Sequence, residues 1–129
     1  MPLQVFKPET VHPTTGYSHA VRHGNTVYVA GQVAQDRQGN LVGQGDIAAQ
    51  VDQVYQNLKA VLEAAGSGLD KVTKLTVYTT KLEYRAAIAE GRMRYFGPLN
   101  HFPASTFVVI SSLATPDYLV EIEAIAAVE

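Results

Sequence analysis

From Ile47 to Leu62 the apolar residues keep helical spacing. Ile47, Val51, Val54, Leu58, Val61 and Leu62 form one stripe on a long helix. Asp46 is placed to cap that helix, and Gly66 and Gly68 to stop it. A second, softer helical pattern runs through Leu82, Ala86, Ala89, Met93 and Phe96, closed by Gly97-Pro98. Gly91 inside it costs about 1 kcal/mol relative to alanine. Elsewhere the pattern is that of strands. A short edge strand is predicted at Val5-Phe6-Lys7-Pro8, because Pro8 cannot donate to a ladder. After a loop over residues 10–16, strands are predicted over 17–22 and 27–33, turned at Gly24-Asn25, with another tight turn at Gly39-Asn40. Residues 72–80, rich in β-branched side chains, form the next strand, and residues 106–110 and 120–126 the last two.

This sequence of elements predicts one α+β domain: a mixed sheet of about six strands with two helices packed on one face. Two helices leave the other face uncovered. In the strand around Phe107, Phe107 and Val109 share one face while Thr106, Val108 and Ile110 share the other. Apolar groups on both faces predict a strand at the centre of the sheet, its second face covered by another subunit. In the final strand Glu121 and Glu123 alternate with apolar residues and share a face with Leu119 and Ile125. A carboxylate beside apolar surface usually has a partner or a task.

Composition narrows the chemistry. The chain has 129 residues, 47% of them hydrophobic and 17% charged, as expected of a globular domain. Net charge is −2 and no dense Lys/Arg run occurs, which argues against nucleic acid as a partner. With no cysteine, disulfides and thiolate chemistry are excluded. No apolar run is long enough for a membrane helix, so the cytosol is the expected compartment. His12, His19, His23 and His101 lack metal-ligand spacing, and phosphate-loop and dinucleotide motifs are missing, so neither metal nor cofactor is expected. Gly66-Ser67-Gly68 follows a helix and reads as its C-cap, not as part of a nucleophile elbow.

Phe102-Pro103-Ala104, a strand, and Val120-Glu121-Ile122-Glu123-Ala124-Ile125-Ala126 together resemble the C-terminal signature of the reactive intermediate deaminase family, also called Rid, YjgF or UK114. Gly16-Tyr17, Gly24-Asn25, Gly31-Gln32 and the helix lengths extend the resemblance from about Tyr17 to Ala126. It implies a chorismate-mutase-like homotrimer with small-molecule sites in the clefts between subunits. In the family an arginine just after Phe-Pro-Ala grips the carboxylate of an imino or enamino acid, and a glutamate at the start of the Glu-Ile-Glu run positions the water that hydrolyses the C=N bond. Some members carry an endoribonuclease label, which this charge pattern does not support.

By this resemblance Glu121 is the water-positioning carboxylate, Tyr17 a ligand contact, and Gly31 and Gln32 part of the binding wall. The arginine position is Ser105, whose hydroxyl cannot replace a bidentate guanidinium. Ala30, Phe107 and Ala89 stand where the family has a small polar residue, a cysteine and an asparagine. Phe107 makes the cleft narrower and more apolar. His19, two residues after Tyr17, is the foremost replacement cation, while Arg92 and Arg94 read as surface, Arg94 paired with Glu90 one helical turn back. Plainer roles exist for each: a partly exposed strand carboxylate for Glu121, a packing aromatic for Tyr17, close backbone approach for Gly31, a small filler for Ser105. Two functions follow. One is an imine or enamine hydrolase of altered range; the other is a non-catalytic trimer that binds a metabolite or a partner.

Overall fold

The structure, a computed structural model, describes residues 2–129. Its elements are β1 (Leu3–Phe6), β2 (Ala20–His23), β3 (Thr26–Gln32), α1 (Ile47–Ala64), β4 (Val72–Thr79), α2 (Arg85–Phe96), β5 (Ala104–Val109) and β6 (Val120–Ala127). They build one six-stranded sheet in the order β1-β2-β3-β6-β4-β5. Every pair is antiparallel except β4–β5, whose parallel pairing requires the crossover through α2. Both helices lie on one face, as the apolar periods predict.

The ends of α1 are set by its caps. Asp46 accepts a hydrogen bond from the Ala49 amide at 3.1 Å. At the other end Gly66 takes φ +82°, Ser67 N–H donates to Leu62 at 2.8 Å and Gly66 N–H donates to Glu63 at 3.1 Å, a Schellman motif that only a residue tolerant of positive φ closes cheaply. Val51, Val54, Leu58, Val61 and Leu62 are all fully buried against the sheet, beside Leu75, Val77 and Ile122.

Three features depart from the sequence pattern. Of the stripe assigned to the second helix Phe96 is buried as expected, but Leu82 belongs to a separate 3-10 turn and is exposed, as is Met93, and the buried face is made by Ile88 and Gly91 with Phe96. The helices touch at Gly91, a residue with no side chain to register in an apolar pattern. Arg94 pairs across the helix interface with Asp52 at 3.9 Å, not with Glu90. Finally, the Phe107 strand is the outer edge of the sheet, not its centre. Its two-sided apolar pattern arises because Ser105 and Phe107, opposite Leu75 and Val77, face the helix layer, while Thr106 and Val108, opposite Thr76 and Tyr78, face away from it.

The face away from the helices carries Tyr28, Lys74, Thr76, Tyr78, Glu121, Glu123 and Ile125, with Leu3 and Val5 exposed toward one edge. Tyr28 and Ile125 are cross-strand neighbours there, and both are exposed.

One polar residue of the helix layer reaches the chain leading into β6. Gln50 is fully buried; its amide donates to the carbonyls of Gly43 (3.1 Å) and Asp117 (2.9 Å) and accepts from Leu119 N–H at 2.9 Å. Gln50→Ala leaves that buried N–H without its acceptor, and urea denaturation should show a loss of about 1–3 kcal/mol.

Candidate functional site

The site begins with a β-bulge. Val29 pairs with Ala124 and Gln32 with Ile122, so three steps along β3 match two along β6. The extra residue falls in the Ala30-Gly31 segment, beside Glu121 on β6. Glu121 lies against the Gly31 backbone: a Cβ built on Gly31 would stand 2.1 Å from Glu121 Oε2 and 2.8 Å from its Cγ. Gly31 is therefore required by the carboxylate and not by an unusual dihedral. Gly31→Ala should preserve the fold, because the side chain it displaces can swing toward the cleft. A crystal structure of that variant is expected to show Glu121 moved, and NMR titration should bring its carboxyl back toward the ordinary carboxylate range.

A cleft of about 480 Å³ opens at this point, walled by Glu121, Gly31, Ala30, Tyr17, Tyr118 and Gln35, with His12 and Thr14 at the back. Burial pushes the Glu121 carboxyl above its usual value, and the like charge of Glu123 pushes in the same direction. Burial likewise raises the Tyr17 phenol, helped by Glu121 and then Tyr118. Tyr17 thus stays a proton donor at any physiological pH. Gln35 donates to the Tyr118 hydroxyl and fixes that ring at the cleft wall.

Tyr17 and His19 do not occupy one strand face. β2 begins only at Ala20, and Tyr17 sits in the bend after Gly16, whose φ is +81°. His19 turns inward and is 1% exposed. Its Nε2–H donates to the His12 carbonyl at 2.7 Å, and its Nδ1 faces the Gln32 amide at 3.2 Å. With both nitrogens engaged and burial lowering its pKa, His19 stays neutral. Gln32, also buried, donates to the Ala30 carbonyl at 3.0 Å. His19 and Gln32 therefore stand behind the cleft and hold the bulged segment in place.

Ser105 and Phe107 are elsewhere. They line a separate pocket on the helix side of β5, together with Arg85, Ile88 and Arg92. One chain thus brings together Tyr17, Gly31 and Glu121, supports them with His19 and Gln32, and keeps Ser105 and Phe107 on the opposite face of the sheet. Tyr118, Gln35 and His12 had no sequence signal, since all three lie in irregular segments outside any period. Among the described residues, no group of three or more His, Asp and Glu side chains gathers closely enough to hold a metal ion. No helix is long and apolar enough to cross a membrane.

Two helices on one face of a half-open mixed sheet, with a carboxylate cleft at a strand bulge, define an α+β domain of a widely shared type. A family profile described as Endoribonuclease L-PSP matches residues 8–128. A RutC family protein of Pyrococcus horikoshii is 40% identical over 122 residues, covering 95% of this chain and 94% of the relative. The 2-iminobutanoate/2-iminopropanoate deaminase of Dermatophagoides farinae is 33% identical over 125 residues, covering 97% and 95%. The crystal structure of the Rid family protein YyfA from Yersinia pestis superimposes with a TM-score of 0.93 at 33% identity, covering 98% of this chain and all of that one. The chain belongs to the L-PSP family, which takes in the Rid and RutC proteins.

Proposed function

We propose that this chain is a hydrolase of imines or enamines working in clefts between the subunits of a homotrimer. The observation that carries the reading is Glu121: a carboxylate held against Gly31, in a roomy cleft, beside a phenol that stays protonated. The reaction needs a base near water and a donor near the developing alcohol or amine. Glu121 takes a proton from water as its oxygen bonds to the imine carbon and the C=N π pair moves to nitrogen. On a protonated imine, Glu121 then returns its proton to the carbinolamine nitrogen, and as the C–N bond breaks and the carbonyl forms it takes the hydroxyl proton, so that ammonia leaves and picks up that proton as ammonium. Tyr17 donates a hydrogen bond to the substrate during both steps, and backbone groups near Gly31 and Phe107 bind its polar atoms.

The trimer is supported by the uncovered sheet face and by the division of the predicted residues between its two sides. A site containing both Glu121 and Ser105-Phe107 takes its halves from two subunits. Because serine stands at position 105, the substrate range differs from that of members with arginine there. The named activity of the Dermatophagoides relative supports this reaction class.

The test generates imines with an amino acid oxidase, traps what remains with semicarbazide, and includes imines without a carboxylate. Acceleration by the wild-type protein, with a trimeric mass in sedimentation equilibrium, is the expected result. Binding without turnover on any imine would overturn the hydrolase and leave a metabolite-binding trimer.

A further inference from the structure

A second cavity, of about 370 Å³, adjoins the Glu121 cleft across Pro13 and Thr14, which line both. Its other walls are Lys7, Pro8, Glu9, Val11 and Arg37. A volume of this order suits a small metabolite. The charges around it are of both signs and uncommitted. Among the described residues the lysine- or arginine–carboxylate pair within 4.0 Å is Arg94–Asp52, so Lys7, Glu9 and Arg37 are paired neither with one another nor elsewhere. Asp36, the carboxylate next to Arg37 in the chain, is already in use: its Oδ1 accepts from the amides of Gln38 at 3.0 Å and Asn40 at 2.9 Å. Gly39 N–H donating to the Asp36 carbonyl and Asp36 N–H donating to the Asn40 carbonyl, both at 2.9 Å, close the same turn. That turn presents Arg37 from a fixed backbone. Opposite it, the rings of Pro8 and Pro13 fix their own φ, and Val11 between them is 3% exposed. The cavity is therefore formed before any ligand arrives, and little ordering is left to offset binding.

We infer that this cavity binds a free α-amino acid with a hydrocarbon side chain. The carboxylate sits between Arg37 and Lys7, the ammonium on Glu9, and the side chain against Pro8, Val11 and Pro13. The choice of ligand follows from the charges. A simple anion would be opposed by Glu9, and a simple cation by Lys7 and Arg37, whereas a small zwitterion satisfies all three. The site is separate from the Glu121 cleft and uses no imine chemistry, so it does not depend on the reading of that cleft. Because Pro13 and Thr14 belong to both walls, an occupant here bears on a wall of the cleft.

The experiment titrates L-valine into the whole protein, followed by calorimetry and by amide chemical shifts. The comparison ligands are isobutylamine, which is valine without its carboxylate, 3-methylbutanoate, which is valine without its ammonium, and glycine, which lacks the hydrocarbon. Valine should saturate the protein and bind at least about tenfold more tightly than any of the three. Shifts should concentrate on residues 7–14 and 36–39. Glu9→Gln and Arg37→Gln should each weaken valine by about tenfold. Glu9→Gln should also tighten 3-methylbutanoate, whose carboxylate no longer meets a like charge, and Arg37→Lys should keep part of the affinity. Lys7, Glu9 and Arg37 are all exposed, so these variants are expected to fold, and circular dichroism checks that they do. Unchanged valine affinity in Glu9→Gln or Arg37→Gln, 3-methylbutanoate binding as tightly as valine, or no saturable binding of valine overturns the inference. Shifts confined to Tyr17, Gly31, Tyr118 and Glu121 would place valine in the Glu121 cleft and would overturn it too.

Discussion

Glu121→Gln is expected to lower imine hydrolysis by about 10²–10⁴-fold, the usual contribution of a positioned general base, and to raise the thermal stability of the protein. The amide keeps the shape of the side chain over Gly31 but cannot accept a proton from water. The stability gain follows from the raised carboxyl. A carboxyl whose folded pKa exceeds its unfolded value binds its proton more tightly in the native state, so it favours folding while protonated. As pH climbs through the unfolded value near 4.5 and then the higher folded one, that contribution is lost. At neutral pH the ionised group therefore costs stability, and glutamine removes the cost. Differential scanning calorimetry should show a higher melting temperature for Glu121→Gln at about pH 7–8, with the gap closing below about pH 4. A variant that loses stability at neutral pH would contradict the assignment of burial as the dominant influence on this group.

The same shift fixes the acid side of the rate profile. Activity needs the ionised carboxylate, so its acid limb should lie above 4.5. Burial is the larger cause and Glu123 the second, so Glu123→Gln should move the limb down only part of the way. An unmoved limb would mean that the group being titrated is not Glu121.

Much of this was legible in the sequence because it is periodic. The stripe on α1, the alternation in β6 and the turn glycines each follow from one element's own repeat, and the elements and the half-covered sheet came with them. What the sequence hid depends on how elements meet. Position in a sheet is a pairing property: nothing in residues 104–109 distinguishes an edge strand packed by α2 from a central one. Tyr17 and His19 are two residues apart, which on a strand is one face; in the bend before β2 it is two different environments, a cleft wall and a buried hydrogen-bond network. Arg85 and Arg92 are ordinary charged helix residues by spacing, and Arg92 reads as surface. That both line one pocket comes from β5, whose register turns Ser105 and Phe107 toward α2. Gly31 was legible as a point of close approach, though what approaches it, the Glu121 side chain, came only from the register of β3 on β6.

Gly91 carries the second large effect, and there two principles oppose each other. On helix propensity alone Gly91→Ala stabilises α2 by up to about 1 kcal/mol. On packing it does the reverse, since the new Cβ would stand 2.2 Å from Val51 Cγ1 and 3.7 Å from the Tyr55 ring. Neither neighbour can yield easily. Val51 is fully buried on α1, where a β-branched side chain has essentially one rotamer. Tyr55 is fully buried too, stacked on Tyr95 at 5.1 Å and edge-on to Phe96 at 5.8 Å. The helices must separate instead, and overpacking of this kind costs about 1–3 kcal/mol. Packing wins, so Gly91→Ala should destabilise the protein in chemical denaturation. In a Val51→Ala background the obstruction is gone, and the same substitution should become neutral or stabilising by up to about 1 kcal/mol. The change of sign is the decisive reading. A Gly91→Ala cost that is equal in both backgrounds would show that the glycine serves the backbone of α2 and not the contact with α1.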